Sequence, residues 1–143
     1  MKFPGPVLLL EDDEVDIMTV ERAFLRIGAS ERLYSVRNGE EGLEFLRDGD
    51  RASHPLPGII LLDINMPIMG GIEFLREVKG DPDLRRIPVI VLTTSREDQD
   101  RFESYDLGAA GYIVKPVEFE DFVEVLGAIR RYWSLNEISN GRC

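Results

Sequence analysis

Four short apolar runs in this chain each stop on a polar residue of the kind that handles phosphate or a divalent cation, and this pattern restricts the fold most. Val7 to Leu10 runs into Glu11 and Asp12, Ile59 to Leu62 into Asp63, Val89 to Leu92 into Thr93 and Thr94, and Tyr112 to Val114 into Lys115. Gly58 to Leu62, apolar throughout, reads as a strand covered on both faces, because a strand with one wet face alternates apolar with polar residues. Leu33 to Val36 adds a fifth β-like run, and the run at 59 starts after Gly58. Stretches with helical spacing lie between them. Ile17, Val20, Phe24 and Ile27 form a stripe closed by Gly28, Leu43 and Leu46 follow Asn38-Gly39, and Ile72, Leu75 and Val78 precede Gly80-Asp81-Pro82. Ser95 with Asp98 resembles a capping pair that opens a fourth helix, ended by Gly108. Phe119, Phe122, Val123, Leu126, Ile129 and Trp133 make the longest stripe. Asp48 to Pro57 reads as a surface loop.

Five βα units in strict alternation predict an α/β domain: a doubly wound, flavodoxin-like sheet of five parallel strands with helices on both faces. Order 2-1-3-4-5 is favoured, since it sets strands one and three side by side at the switch point and joins Glu11 and Asp12 to Asp63. Parallel strands share their carboxyl-terminal edge, so residues up to a hundred positions apart emerge together where open sheets hold ligands.

Bulk properties exclude several function classes. A chain of 143 residues, 43% hydrophobic, is expected to form one domain over 1–143, with its core at 7–133 and a loose polar tail at 134–143. That tail is too short for a DNA-binding module. A formal charge of -10 disfavours nucleic acid and anionic lipid as partners. Cys143 is the single cysteine, which excludes an internal disulfide, and no stretch approaches the ~20 apolar residues of a membrane span, so a cytoplasmic location is expected. Phosphate loops of the Gly-Lys-Ser/Thr type, Gly-x-Gly, Gly-x-Ser-x-Gly and His-Glu-x-x-His are all missing from the sequence.

Glu11, Asp12, Asp13, Glu14 and Asp16 place five carboxylates within six residues. Asp13, Glu14 and Asp16 read as a solvated helix start that meets the macrodipole. Glu11 and Asp12 differ because they end a buried strand. Carboxylates gathered there with Asp63 repel, and a proton or a divalent cation must compensate. Hard oxygen ligands in a small, wet cluster suit Mg2+. Asp63 beside such a cation, with Lys115 and Thr93 opposite, can attack phosphorus as a nucleophile and carry an aspartyl phosphate.

Taken together, Glu11-Asp12, the segment Asp63-Ile64-Asn65-Met66-Pro67 with Gly71 beyond, Thr93 and Lys115-Pro116 resemble the full signature of the receiver domain of two-component response regulators. The likeness runs from Val7 to Trp133. It implies that Asp63 accepts phosphate from a sensor histidine kinase, and that Mg2+ is bound by Asp12, Asp63 and the main-chain carbonyl of Asn65, with Glu11 assisting through water. It also implies that Lys115 pairs with the phosphoryl group, commonly with a cis bond before Pro116. Thr93 and Tyr112 resemble the switch pair, in which the hydroxyl moves toward phosphate and the ring turns inward; a half-buried strand aromatic is the plainer reading of Tyr112. Such a protein is a phosphoacceptor that promotes its own phosphorylation and slow dephosphorylation, not a turnover enzyme. Its readout surface would be helix four, strand five and helix five, through which a second copy can dock. Trp133 with Tyr132 offers an apolar patch there, whereas Phe122 is expected to pack on its own sheet.

Leu92-Thr93-Thr94-Ser95, Tyr105, Gly108-Ala109, Tyr132-Trp133 and the loop at 48–57 are similar to the small stand-alone regulators that partner bacterial phytochromes. Gly70 stands where the broader family often has an acid, and Asp13 adds a third consecutive acid; neither removes a required group. Two other readings compete. A haloacid-dehalogenase-like phosphatase also uses a strand-end aspartate and Mg2+, but needs Asp-x-Asp where this chain has Asn65. A receiver-like scaffold that never takes phosphate would have no use for the complete acceptor set.

Overall fold

In the computed structural model, which describes residues 3–135, the four apolar runs and the β-like run at Leu33 to Val36 become strands and the stripes between them helices. The order is β1 (Val7–Leu10), α1 (Glu14–Arg26), β2 (Leu33–Val36), α2 (Gly39–Arg47), β3 (Ile59–Leu62), α3 (Gly71–Gly80), β4 (Val89–Thr93), α4 (Asp98–Asp106), β5 (Gly111–Val114) and α5 (Phe119–Leu135). The strands pair in parallel, as expected from the alternation, and in the order β2-β1-β3-β4-β5, the one favoured for joining Glu11 and Asp12 to Asp63. Every residue of β1, β3 and β4 is buried, whereas the edge strands β2 and β5 are half-exposed. That contrast follows from position, since an edge strand has a neighbour on one side alone.

Successive side chains of a strand point to opposite faces, so each central strand feeds two cores. Leu8, Leu10, Ile60, Leu62, Val89 and Val91 pack under α2 and α3, with Phe74 and Leu46. Val7, Leu9, Ile59, Leu61, Ile90 and Leu92 pack on the other face, against Phe24 of α1 and Phe122, Leu126 and Ile129 of α5. Phe122 therefore sits in its own core, as its spacing predicts. Trp133 is half-buried against the same cluster, edge-on to the exposed ring of Tyr132 at 4.6 Å.

Local signals set most helix ends. Asp13 caps α1 by accepting from the Val15 and Asp16 amides at 2.8 and 3.2 Å, and Asn38 caps α2 through the Glu41 amide at 2.9 Å. Gly28 and Gly108 follow α1 and α4 with φ of 71° and 104°, the left-handed turn that stops a helix. The capping pair expected from Ser95 and Asp98 does not form. α4 begins at Asp98 with Glu97 at its cap, and the Ser95 hydroxyl reaches past it to Asp100 at 2.7 Å, because residues 95–97 are spent leaving the sheet edge. α5 runs through Ser134 and Leu135, two residues into the expected tail; the rest of that tail, 136–143, lies outside the described residues.

The loop from Asp63 to Gly70 carries the one non-glycine residue with positive φ among those described, Ile68 at 67°. A β-branched side chain in that conformation crowds its own carbonyl, and Ile68 is 78% exposed, so no packing offsets the cost. Ile68→Asn, which tolerates the left-handed region, is expected to raise stability by about 1 kcal/mol in chemical denaturation. An unchanged midpoint would show that the loop relaxes around isoleucine.

Candidate functional site

Strand parity sorts the strand-end residues into two groups. The ladder continues past the strand ends, with the amides of Glu11, Asp63 and Lys115 donating to Val36, Leu10 and Thr93 at 2.8 to 3.0 Å, so side-chain alternation continues with it. Glu11, Asp63 and Lys115 thus follow the α1/α5 face, on which Ile113 lies. Thr93 and Tyr112 follow the α3/α4 face, where Tyr112 packs against the core.

Carboxylate oxygens of Glu11, Asp12 and Asp63 all lie within 4.8 Å of one another. Glu11 is 2% exposed and Asp63 7%. Asp63 Oδ1 accepts the Ile64 amide at 2.9 Å, which fixes the rotation of the carboxylate. Gly71, the first residue of α3, seats the helix directly on this corner: a Cβ there would stand 2.3 Å from the Asp63 carbonyl oxygen. Asn65 is exposed two residues past Asp63.

Lys115 feels the Asp63 charge, but its hydrogen bonds go to other carboxylates. Its ammonium, on a side chain 9% exposed, donates to Glu11 and, at 2.9 Å, to Asp16. Asp16 is therefore no solvated helix-start acid. It was legible in principle, because parity sends Lys115 to the face covered by α1, and Asp16 lies in the first turn of that helix. Arg37 was also missed; it follows β2, the neighbour of β1, and its guanidinium binds the Asp12 carbonyl at 3.3 Å and the Glu14 carboxylate. The Lys115–Pro116 bond, expected to be cis, is trans like every other peptide bond described. Trans is the lower-energy form of an X–Pro bond by about 0.5–1 kcal/mol.

Thr93 and Tyr112 meet through a third residue. Thr93 Oγ1 accepts the Ser95 amide at 3.2 Å, and the Tyr112 hydroxyl donates to the Ser95 carbonyl at 3.0 Å. Ser95 in turn holds Asp100 on α4. A shift of the Thr93 hydroxyl must release that amide, which gives a covalently short route from the sheet edge to α4.

Burial pushes the Glu11 carboxyl up to about 7, with the Asp63 charge adding to the rise and Lys115 opposing it. Burial alone would lower Lys115, but Glu11, Asp63 and Asp16 together hold it above its ordinary value. Both shifts point upward for different reasons: burial dominates at Glu11, and the surrounding carboxylates dominate at Lys115. The donor set is all oxygen, crowded and partly wet, which fits a small hard divalent cation that can relieve the same repulsion.

Residues 7–127 match the response regulator receiver domain. The chain belongs to that family. Among relatives of this receiver, the probable methanogenesis regulatory protein FilR2 of Methanothrix harundinacea is 38% identical over 91% of the chain and 84% of the relative. Response regulator Rcp1 of Synechocystis is 36% identical over 91% and 89%, and its Mn2+-bound crystal structure superposes with a TM-score of 0.85, covering 96% of the receiver and all of that chain. The phosphorylated cyanobacterial phytochrome response regulator RcpA gives a TM-score of 0.87 at 35% identity, with 95% and 99% covered. The receiver thus shares its fold and its two-component signalling class with regulators associated with phytochromes, and the acidic edge of its sheet can bind a divalent cation.

Proposed function

We propose that this receiver accepts a phosphoryl group on Asp63 from the phosphohistidine of a sensor kinase. The Asp63 carboxylate oxygen forms the new bond to phosphorus as the phosphorus–nitrogen bond breaks, and the released imidazole takes up a proton. The single observation that carries this reading is the gathering of three carboxylates from two strands within 4.8 Å, with a buried ammonium beside them. Mg2+ would be held by Asp12, Asp63 and the Asn65 carbonyl, with Glu11 assisting through water. When bound, the cation neutralises phosphoryl oxygens during in-line transfer. Lys115 supplies a second positive charge, and Thr93, fully buried at the end of β4, supplies a hydroxyl. Both Thr93 and Tyr112 bind the Ser95 backbone, which supports reading the pair as the switch. Acetyl phosphate with Mg2+ should load one phosphoryl group per chain by intact-mass measurement; no loading, or loading at several sites, counts against the reading.

Likeness to RcpA and Rcp1 supports a phytochrome kinase as donor, and the protein is read as a cytoplasmic phosphoacceptor, not a turnover enzyme. Among the described residues no helix is long and apolar enough to cross a membrane. Output through a second copy is supported by the half-exposed edge strand β5 and by exposed Phe102, Tyr105 and Tyr132 on the flanking α4 and α5.

The Glu11 shift gives the cation proposal a pH signature. A carboxyl raised from 4.5 to about 7 on folding stabilises the protein fully below 4.5, and that stability is lost as pH rises to about 7. Without divalent cation the melting temperature should therefore fall as pH rises across that window. Mg2+ needs the bare carboxylate, so it should stabilise more at about pH 8 than at about pH 5.5. Equal stabilisation at both would argue that the cation binds elsewhere.

A further inference from the structure

The contact between Asp16 and Lys115 is left unused by the acceptor chemistry, and it ties α1 to the residue that must meet the incoming anion. We propose that Asp16 is a positioning residue: it holds the Lys115 ammonium toward α1 in the resting protein and thereby opposes its transfer to an anion carried by Asp63. The inference rests on the reading of Asp63 as phosphoacceptor.

An ammonium has three N–H donors, and two of the Lys115 donors are directed at Glu11 and Asp16. A tetrahedral anion on Asp63 demands donors aimed at its own oxygens, and a cation beside it competes with Lys115 for Glu11. Asp16 is not free to follow. Its amide is held by Asp13 Oδ1 at 3.2 Å, and its helix is anchored by buried Ile17 and Val20 on the next positions of the inner face. An interaction present in the resting state and lost in the loaded one lowers affinity for the anion by its own free energy. The Asp16 side chain is 38% exposed against 9% for Lys115, so the bond is stronger than a surface ion pair and weaker than a fully buried one.

Asp16→Asn keeps the size of the side chain and removes its charge. Titration calorimetry with beryllofluoride and Mg2+ should show Asp16→Asn binding about three- to tenfold more tightly than the natural protein. In a Lys115→Ala background, titrated at higher beryllofluoride concentration, the same substitution should change affinity less than twofold. Unchanged or weaker binding in Asp16→Asn overturns the inference, and so does an equal gain in the Lys115→Ala background, which would reduce the effect to general charge repulsion. Failure of the natural protein to bind beryllofluoride would instead remove the Asp63 reading, and this inference with it.

Discussion

Asp63→Asn is expected to reduce phosphoryl incorporation from acetyl phosphate by at least about a thousandfold, or ~4 kcal/mol of barrier, because an amide has no anionic oxygen to attack phosphorus. The substitution is nearly isosteric, and the amide oxygen can still accept the Ile64 N–H that now orients the carboxylate at 2.9 Å. Loss of fold is not the expected cause of the loss of label. Removing one of three crowded carboxylates relieves repulsion that adds to the rise of Glu11, so the variant should melt at the same temperature as the natural protein or higher when no cation is present. The two measurements separate chemistry from stability: intact mass after acetyl phosphate for the first, a thermal melt for the second. Label that persists in Asp63→Asn would move the acceptor to another carboxylate of the cluster, Asp12 first, since it is the more exposed of the remaining two.

The largest loss of stability is expected far from that edge, at Arg130. Its guanidinium makes a two-pronged pair with Glu31, Nε and Nη2 each at 3.0 Å, and also binds the Ile27 carbonyl at 3.2 Å. Glu31 accepts the Phe3 amide as well, so one buried pair ties α5 to the α1–β2 turn and to the start of the chain. With side-chain exposures of 13% and 7%, truncation leaves a carboxylate out of water and without its cation. Arg130→Ala should therefore cost about 3 kcal/mol in urea denaturation. The more exposed pair Arg26–Glu120, at 53% and 67%, provides the contrast, and Arg26→Ala should cost under about 1 kcal/mol. Burial alone would raise Glu31, but the Arg130 guanidinium and the Phe3 amide more than offset it and hold the carboxyl below its ordinary range. A lowered carboxyl stabilises above its unfolded value of about 4.5 and loses that contribution as pH falls through the lowered folded value. The natural protein should thus show an acid-side loss at this pair that Arg130→Ala lacks. A cost near that of Arg26→Ala would mean that water reaches Glu31 once the arginine is gone.

Most of the architecture could be read from residue order. An uninterrupted apolar run such as Ile59 to Leu62 requires cover on both faces, and five β-like runs alternating with helical stripes leave little choice but a parallel sheet. The strand order followed from asking which arrangement joins Glu11 and Asp12 to Asp63. Family likeness supplied the expected acceptor, cation ligands and switch pair as numbered positions. It also brought the expectation of a cis bond before Pro116, which this structure does not share.

The sequence by itself determined which residues stand at the carboxyl-terminal edge, because strand ends and capping residues are encoded within a few positions of each other. Only the tertiary structure decided what each of them touches. Asp16 looked like any acid opening a helix until α1 was laid across the face that Lys115 enters, and Ser95 looked like a cap until Thr93 and Tyr112 closed on its backbone. The physical reason is range. Helix and strand signals act between neighbours in the chain, whereas the partner of a buried charge is chosen by packing across 99 residues, where desolvation makes an unpaired ammonium costly and the nearest carboxylate takes it.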